Sequence, residues 1–407
     1  MKKILIRMLA LFMALGIALA GCAQSPPASA TEPLATEAQT PEQTQPEPTA
    51  EKTTLTAMFL GSSQDQPVVD IIKSQTDKFN SGNAYNAEFV FEIYENEQYK
   101  TKLTTVMASN SAPDVFFTWS AGYLQPFVEG DKVHEVGQLL DADHEWKGRF
   151  NDGVFGPVTY SGGVYAVPHG QTLAVMFYNT RLFSENGVPV PKSFDELKAA
   201  CETFLAAGVT PISVTVKDAW IAGQFLQQLV NGVGGISLFN GTVDGSLRWD
   251  DPRYIAAGEN LLELVNLGAF PDGYLGMTND EGRDVFAQEK AAMYYMDSWD
   301  MGMLSGEDAP VSANIGVFNI PADDPAAGNV AIGDVDQCLA ISANCKSIDA
   351  AAAYIKLFSE IEAQEAYAYS ADYLISTKTK LDEGRLTPLF VKHQQPVQGA
   401  DRRYSVA

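Results

Sequence analysis

Between residues 55 and 118, apolar runs too short for helices alternate with stretches whose apolar residues return at helical spacing. This alternation limits the fold more than any other feature. Residues 55–60, 89–94 and 115–118 read as strands. Between them Val68, Ile71, Ile72 and Phe79, and then Tyr99, Leu103, Val106 and Met107, each line one side of a helix. Strand–helix–strand repetition implies right-handed crossovers and a mostly parallel sheet covered by helices. The pattern resumes at residues 173–178, a buried strand, followed by a helix whose start is marked by Pro191, Ser193 and Glu196 and whose stop is Gly208. A strand over 212–216 then leads into a helix over 221–230. Gly232, Gly234, Gly235 and Gly241 predict a loop, and without a Lys-Ser/Thr pair it is no phosphate cradle.

The chain's first residues carry a different message. Lys2, Lys3 and Arg7 precede an apolar run over 8–20 that is too short to span a bilayer, the pattern of an export signal. Leu19-Ala20-Gly21-Cys22 resembles a bacterial lipobox, which implies a lipoprotein signal peptide over 1–21 and acyl chains, palmitate among them, on Cys22. At about 0.8 kcal/mol per buried methylene, two or three chains give stable membrane anchoring. Residues 22–52 are rich in Pro, Thr, Glu and Gln with almost no large apolar side chain, and predict an extended tether. What remains is too long for one core and predicts two lobes.

The net charge of −24 argues against nucleic acid or anionic phosphate as partner. Catalytic constellations are equally hard to find. Cys201, Cys338 and Cys345 have no paired spacing, so at most one disulfide forms, and Cys201 lies on an apolar helix face. His134 and His144 lack metal-ligand spacing, and there is no Gly-x-Ser-x-Gly elbow. No catalytic residue, metal or cofactor is expected. A pair of carboxylates in a surface-anchored carbohydrate-active enzyme is the remaining enzymatic alternative.

In sheets of this kind ligands bind at the carboxyl ends of the strands. The loops there hold Ser62, Ser63, Gln64 and Asp65, and then Trp119, Ser120 and Tyr123. Trp220 follows the strand at 212–216, and Trp299 opens a helix after a short strand at 294–296. Polar groups beside aromatic faces suit a sugar, whose hydroxyls need partners and whose C–H faces pack on rings. For Trp119 and Trp299 the alternative is a core tryptophan beneath a loop.

Three motifs carry a family resemblance. The first runs Gly162-Gly163-x-Tyr165-x-x-Pro168, then Phe177-Tyr178-Asn179-x-x-Leu182-Phe183-x-x-x-Gly187-Val188. The second is Pro191-x-Ser193-Phe194-Asp195-Glu196-Leu197. The third is Phe286-x-x-Glu289-Lys290-Ala291-Ala292-Met293, then Asp297-Ser298-Trp299, with Glu289 and Asp297 where glycine is usual. Together they resemble family 1 extracellular solute-binding proteins, the sugar receptors of ABC importers. The resemblance implies an α/β, two-lobed, periplasmic-binding-protein-like fold of class II, each lobe a mostly parallel sheet flanked by helices, with the cleft at the hinge. It implies lobe 1 over 53–170 and 319–375, lobe 2 over 171–318, and a lobe 2 tail over 376–407 that stops before the lobe is complete. It implies a carbohydrate ligand held by Asp65, Trp119, His169, Trp220, Trp299, Asp300, Asp334 and Asp336. The partners implied are the transmembrane subunits of an ABC permease and, through Cys22, the extracytoplasmic face of the cell membrane. A monomer is expected, and a sensor for a signalling partner would use the same fold.

Overall fold

The structure, a computed structural model, describes residues 52–62, 65–306, 308–322 and 330–394, the side chains of Asp334, His393 and Gln394 excepted. Residues 1–51, with the signal segment and Cys22, lie outside the described residues.

The chain opens with β1 (Thr53–Leu60), α1 (Gln66–Ser81), β2 (Ala87–Tyr94), α2 (Asn96–Ala108) and β3 (Val115–Thr118). β1 pairs in parallel with both β2 and β3, as helical crossovers require. The stripe Val68, Ile71, Ile72 and Phe79 makes α1 a helix and is the face it buries. The short helices α3 (Ala121–Glu129), α4 (Gly137–Ala142) and α5 (His144–Gly148) and the hairpin of β4 (Thr159–Tyr160) and β5 (Gly163–Val164) follow.

Next comes β6 (Val167–Asn179), longer than the apolar run alone predicts, because it belongs to two sheets. Its residues 167–173 pair antiparallel with β10 (Gly333–Ile341), and its residues 174–178 pair with β8 (Ala291–Asp297). The second lobe contains α6 (Thr180–Glu185), α7 (Phe194–Ala206), β7 (Thr210–Ser213), α8 (Ala219–Val243), α9 (Pro252–Leu267), α10 (Asn279–Ala287), β8, α11 (Met301–Leu304) and β9 (Ile315–Phe318). β7 and β8 are parallel, while β9 lies antiparallel on β6. A Cβ on Gly316 would sit 2.3 Å from the Tyr178 ring, so any other residue there would force that ring to move.

After β10 come α12 (Ile348–Leu357), α13 (Ile361–Ser370), β11 (Leu374–Ile375) and α14 (Pro388–Gln394). The hydrogen-bonded order is β2-β1-β3-β10-β6-β8-β7, with β9 and β11 also on β6. Helix-linked strands are thus parallel, and the strands running between lobes enter antiparallel.

Two cores form. In lobe 1, Tyr354 of α12 stacks on Phe89, and its hydroxyl bonds with that of Thr76, so the returning chain seals the first segment. In lobe 2, Phe177, Phe225, Phe286 and Tyr295 are buried together, and Leu389 and Phe390 of α14 join them. The predicted glycine loop is helical instead. Gly232, Gly234 and Gly241 lie inside α8, which breaks only at Gly235, at φ 64°. A Cβ at Gly232 would meet the Pro321 carbonyl oxygen at 3.5 Å, an ordinary contact, so packing there does not itself demand glycine.

Candidate ligand cleft

The two lobes face each other with tryptophans. Trp119 follows β3 and rests half-buried on the lobe 1 core, while Trp220 in the first turn of α8 rests on the lobe 2 core. Lys100 of α2 stands between them, its Nζ 5.3 Å from the Trp119 ring centre and 6.0 Å from that of Trp220. Glu97, one turn earlier on α2, binds the same ammonium at 2.8 Å. Trp299, in the tight turn after β8, packs against both cores and lies 6.3 Å from Trp220, centre to centre. Tyr123 packs edge-on to Trp119, and burial pushes its phenol up to about 12. Sequence reasoning did not single out Lys100 or Glu97, because a helix's polar face carries no signal of what it meets across a cleft.

Below the indoles lies a buried carboxylate, Asp297, the last residue of β8. Gln224 of α8 donates its Nε2 to both Asp297 oxygens, at 3.0 and 2.9 Å. Burial holds the Asp297 carboxyl up to about 6, although hydrogen bonds from Gln224, Trp299 and Thr172 pull the other way. Asp300, three residues on, is enclosed within lobe 2. Arg283 Nη1 donates to one of its oxygens at 2.9 Å and Tyr294 Oη to the other at 2.6 Å. Both Asp300 oxygens are engaged by side chains of lobe 2, and Asp297 is the acid bonded to Gln224 and Trp299.

Of the remaining expected site residues, Asp65 feels the charges of Asp300 and Arg283 across the lobes, while His169, Asp334 and Asp336 lie on β6 and β10. Asp65 precedes α1 and accepts a hydrogen bond from Tyr373 Oη at 2.7 Å. Burial raises its carboxyl, with the Tyr373 bond opposing. His169 on β6 is buried against Phe117 and Tyr367, and burial drops its imidazole to about 3, so the ring is neutral. Its Nδ1 has no partner among the described residues. Asp336 is half-buried in a bulge of β10, where the pairing with β6 shifts register. Asp334 is described through its backbone, paired with Thr172, and its side chain lies outside the described residues. Among the described residues no acid, histidine or cysteine cluster would hold a metal, and no helix is long and apolar enough to cross a membrane.

Two lobes joined by a strand shared between their sheets, with aromatic and polar side chains on the facing edges, define a hinged binding protein. The match over residues 65–365 is to the bacterial extracellular solute-binding proteins, and the chain belongs to that family, one of binding proteins and not of enzymes. It is similar to the multiple sugar-binding protein of Streptococcus mutans, 27% identical over 218 residues that make up 51% of this chain and 50% of that protein. This chain therefore spans about half the length of that curated relative. The diacetylchitobiose binding protein DasA of Streptomyces coelicolor is 25% identical over 75% of this chain and 68% of its own. A solved structure from work on xylan utilization by Caldanaerobius polysaccharolyticus superposes with a TM-score of 0.79 at 31% identity, over 86% of this chain and 90% of that one.

Proposed function

We propose that the protein captures a carbohydrate between its lobes and hands it to an ABC importer, acting as a lipid-anchored monomer on the extracytoplasmic face of the membrane. The observation that carries the ligand class is the meeting of Trp119, Trp220 and Trp299 from two lobes around charged and amide side chains. Such a cleft offers ring faces to sugar C–H groups and polar atoms to hydroxyls. A ligand touching both lobes has more contacts when they are closed and so favours the closed form, the shape a permease would recognise. The sugars named with the relatives support the same class.

Calorimetric titration with maltose, raffinose, diacetylchitobiose and xylotriose tests the reading. At least one should bind, and replacing Trp299 with Ala should weaken that binding by on the order of 1 to 3 kcal/mol. Absence of binding by all four, or unchanged affinity in the variant, counts against it. Anchoring is tested separately. Cys22→Ala should move the protein from the membrane to the soluble fraction, and full retention on fractionation would refute the lipid.

A further inference from the structure

We infer that Asp297, Gln224 and Trp220 form a hydroxyl-reading relay on lobe 2, in which Asp297 is a positioning residue that fixes the Gln224 amide so that its carbonyl oxygen and the Trp220 indole N–H serve one ligand hydroxyl. This rests on the cleft taking a carbohydrate, and it names the groups that discriminate between hydroxyl patterns.

A carboxylate only accepts, so both bonds between Gln224 and Asp297 must come from the amide NH2. That fixes the amide, and Gln224 Oε1 is left on the far side. Oε1 is buried without a protein partner. One helical turn earlier, on the same face of α8, Trp220 Nε1 is also buried without one. A buried donor and a buried acceptor without partners are each costly. A hydroxyl satisfies both, since its oxygen accepts from the indole and its hydrogen goes to the carbonyl.

The relay has a second setting. Asp297 carries a carboxyl held up to about 6, so it is ionised and accepting at neutral pH. Protonated, it would donate to Gln224 Oε1, and the amide would turn its NH2 toward the ligand. The groups that act on Asp297 are Thr172 of β6, Tyr295 of β8, Trp299, and Asp300 with its partner Arg283 of α10. Burial raises the Asp300 carboxyl too, with the Arg283 charge pulling the other way, but its oxygens are bonded to Arg283 and Tyr294, and Asp297 is the carboxyl bonded to Gln224.

The test titrates wild type, Trp220→Phe, Gln224→Leu, the double variant and Asp297→Asn with the same four sugars at pH 7.5 and pH 5, after thermal melts establish that each variant folds. Phe keeps the ring and removes only the N–H. For a sugar that wild type binds, each single change on α8 should weaken binding roughly 2- to 12-fold at pH 7.5. The double variant should lose less than the product, because one hydroxyl serves both groups. Wild-type affinity should fall from pH 7.5 to pH 5, and that of Asp297→Asn should stay flat. Wild-type affinity in both α8 variants, or a pH dependence that survives in Asp297→Asn, overturns the relay and leaves the carbohydrate reading standing. If wild type binds no sugar of the four, the carbohydrate reading fails and the relay falls with it.

Discussion

Asp297 stands where the resemblance drawn from the sequence leads one to expect glycine, yet its φ of −74° is one any residue adopts, so what the position gains is a carboxyl and not a shape. The carboxyl has a consequence for stability. Its folded pKa of about 6 lies above the ordinary 3.8, so the folded state holds this proton more tightly than the unfolded chain does. Between about pH 4 and pH 6 the group therefore lowers stability as pH rises, by up to roughly 3 kcal/mol once fully ionised. Denaturant unfolding of wild type and Asp297→Asn should show the variant gaining on wild type from pH 4 to pH 7. A constant gap would mean that Asp297 titrates normally. From the sequence Asp300 reads as a ligand residue and Asp297 is passed over, because both lie close to Trp299 and neither periodicity nor spacing says which one Arg283 of α10 will claim. Lys100 escaped notice for a similar reason. It lies on the polar side of an amphipathic helix, and its meeting with Trp220 exists only once two lobes have formed.

The elements were more legible than the side chains between them. Ser193 does accept from the Glu196 amide, as the capping pattern implies, although the Glu196 carboxylate reaches back to the Lys192 N–H instead of to that of Ser193. The turn from α10 to β8 has a backbone that favours glycine, as the resemblance leads one to expect. Glu289 has φ 56°, in the left-handed region, and is held by Arg181, Asn179 and Asn314. Glu289→Ala keeps the backbone strain and loses the anchors, whereas Glu289→Gly loses the anchors but relieves the strain. The Ala variant should therefore be less stable than the Gly variant by about 1 kcal/mol, read from chemical denaturation midpoints. An equal or inverted order would show that the left-handed backbone at this position costs nothing. The glycines of α8 misled in the opposite direction. Clustered glycine signals a loop by local preference, but here the burial of Leu229, Val230 and Leu238 keeps the segment helical on both sides of Gly235.

At the scale of the molecule, strand–helix alternation was enough to give an α/β fold with a mostly parallel sheet, and length with the family motifs gave the two lobes, while the sharing of β6 by two sheets was not visible in its own residues. A strand read from an apolar run ends where the run ends, and the polar residues His169, Gln171 and Thr172 hide its first half. The same topology governs how the protein is made. In lobe 1, β10 lies between β3 and β6, strands that precede it by nearly all of lobe 2. A ribosome adding about 5–20 residues per second leaves both of those strand edges unpaired for on the order of ten seconds or more before residue 341 emerges. Open edges invite foreign strands, and pairing across so long a loop is slow. Lobe 1 therefore cannot finish folding behind the ribosome as its own first half appears, and the nascent lobe remains incomplete, and threadable, until β10 has been made.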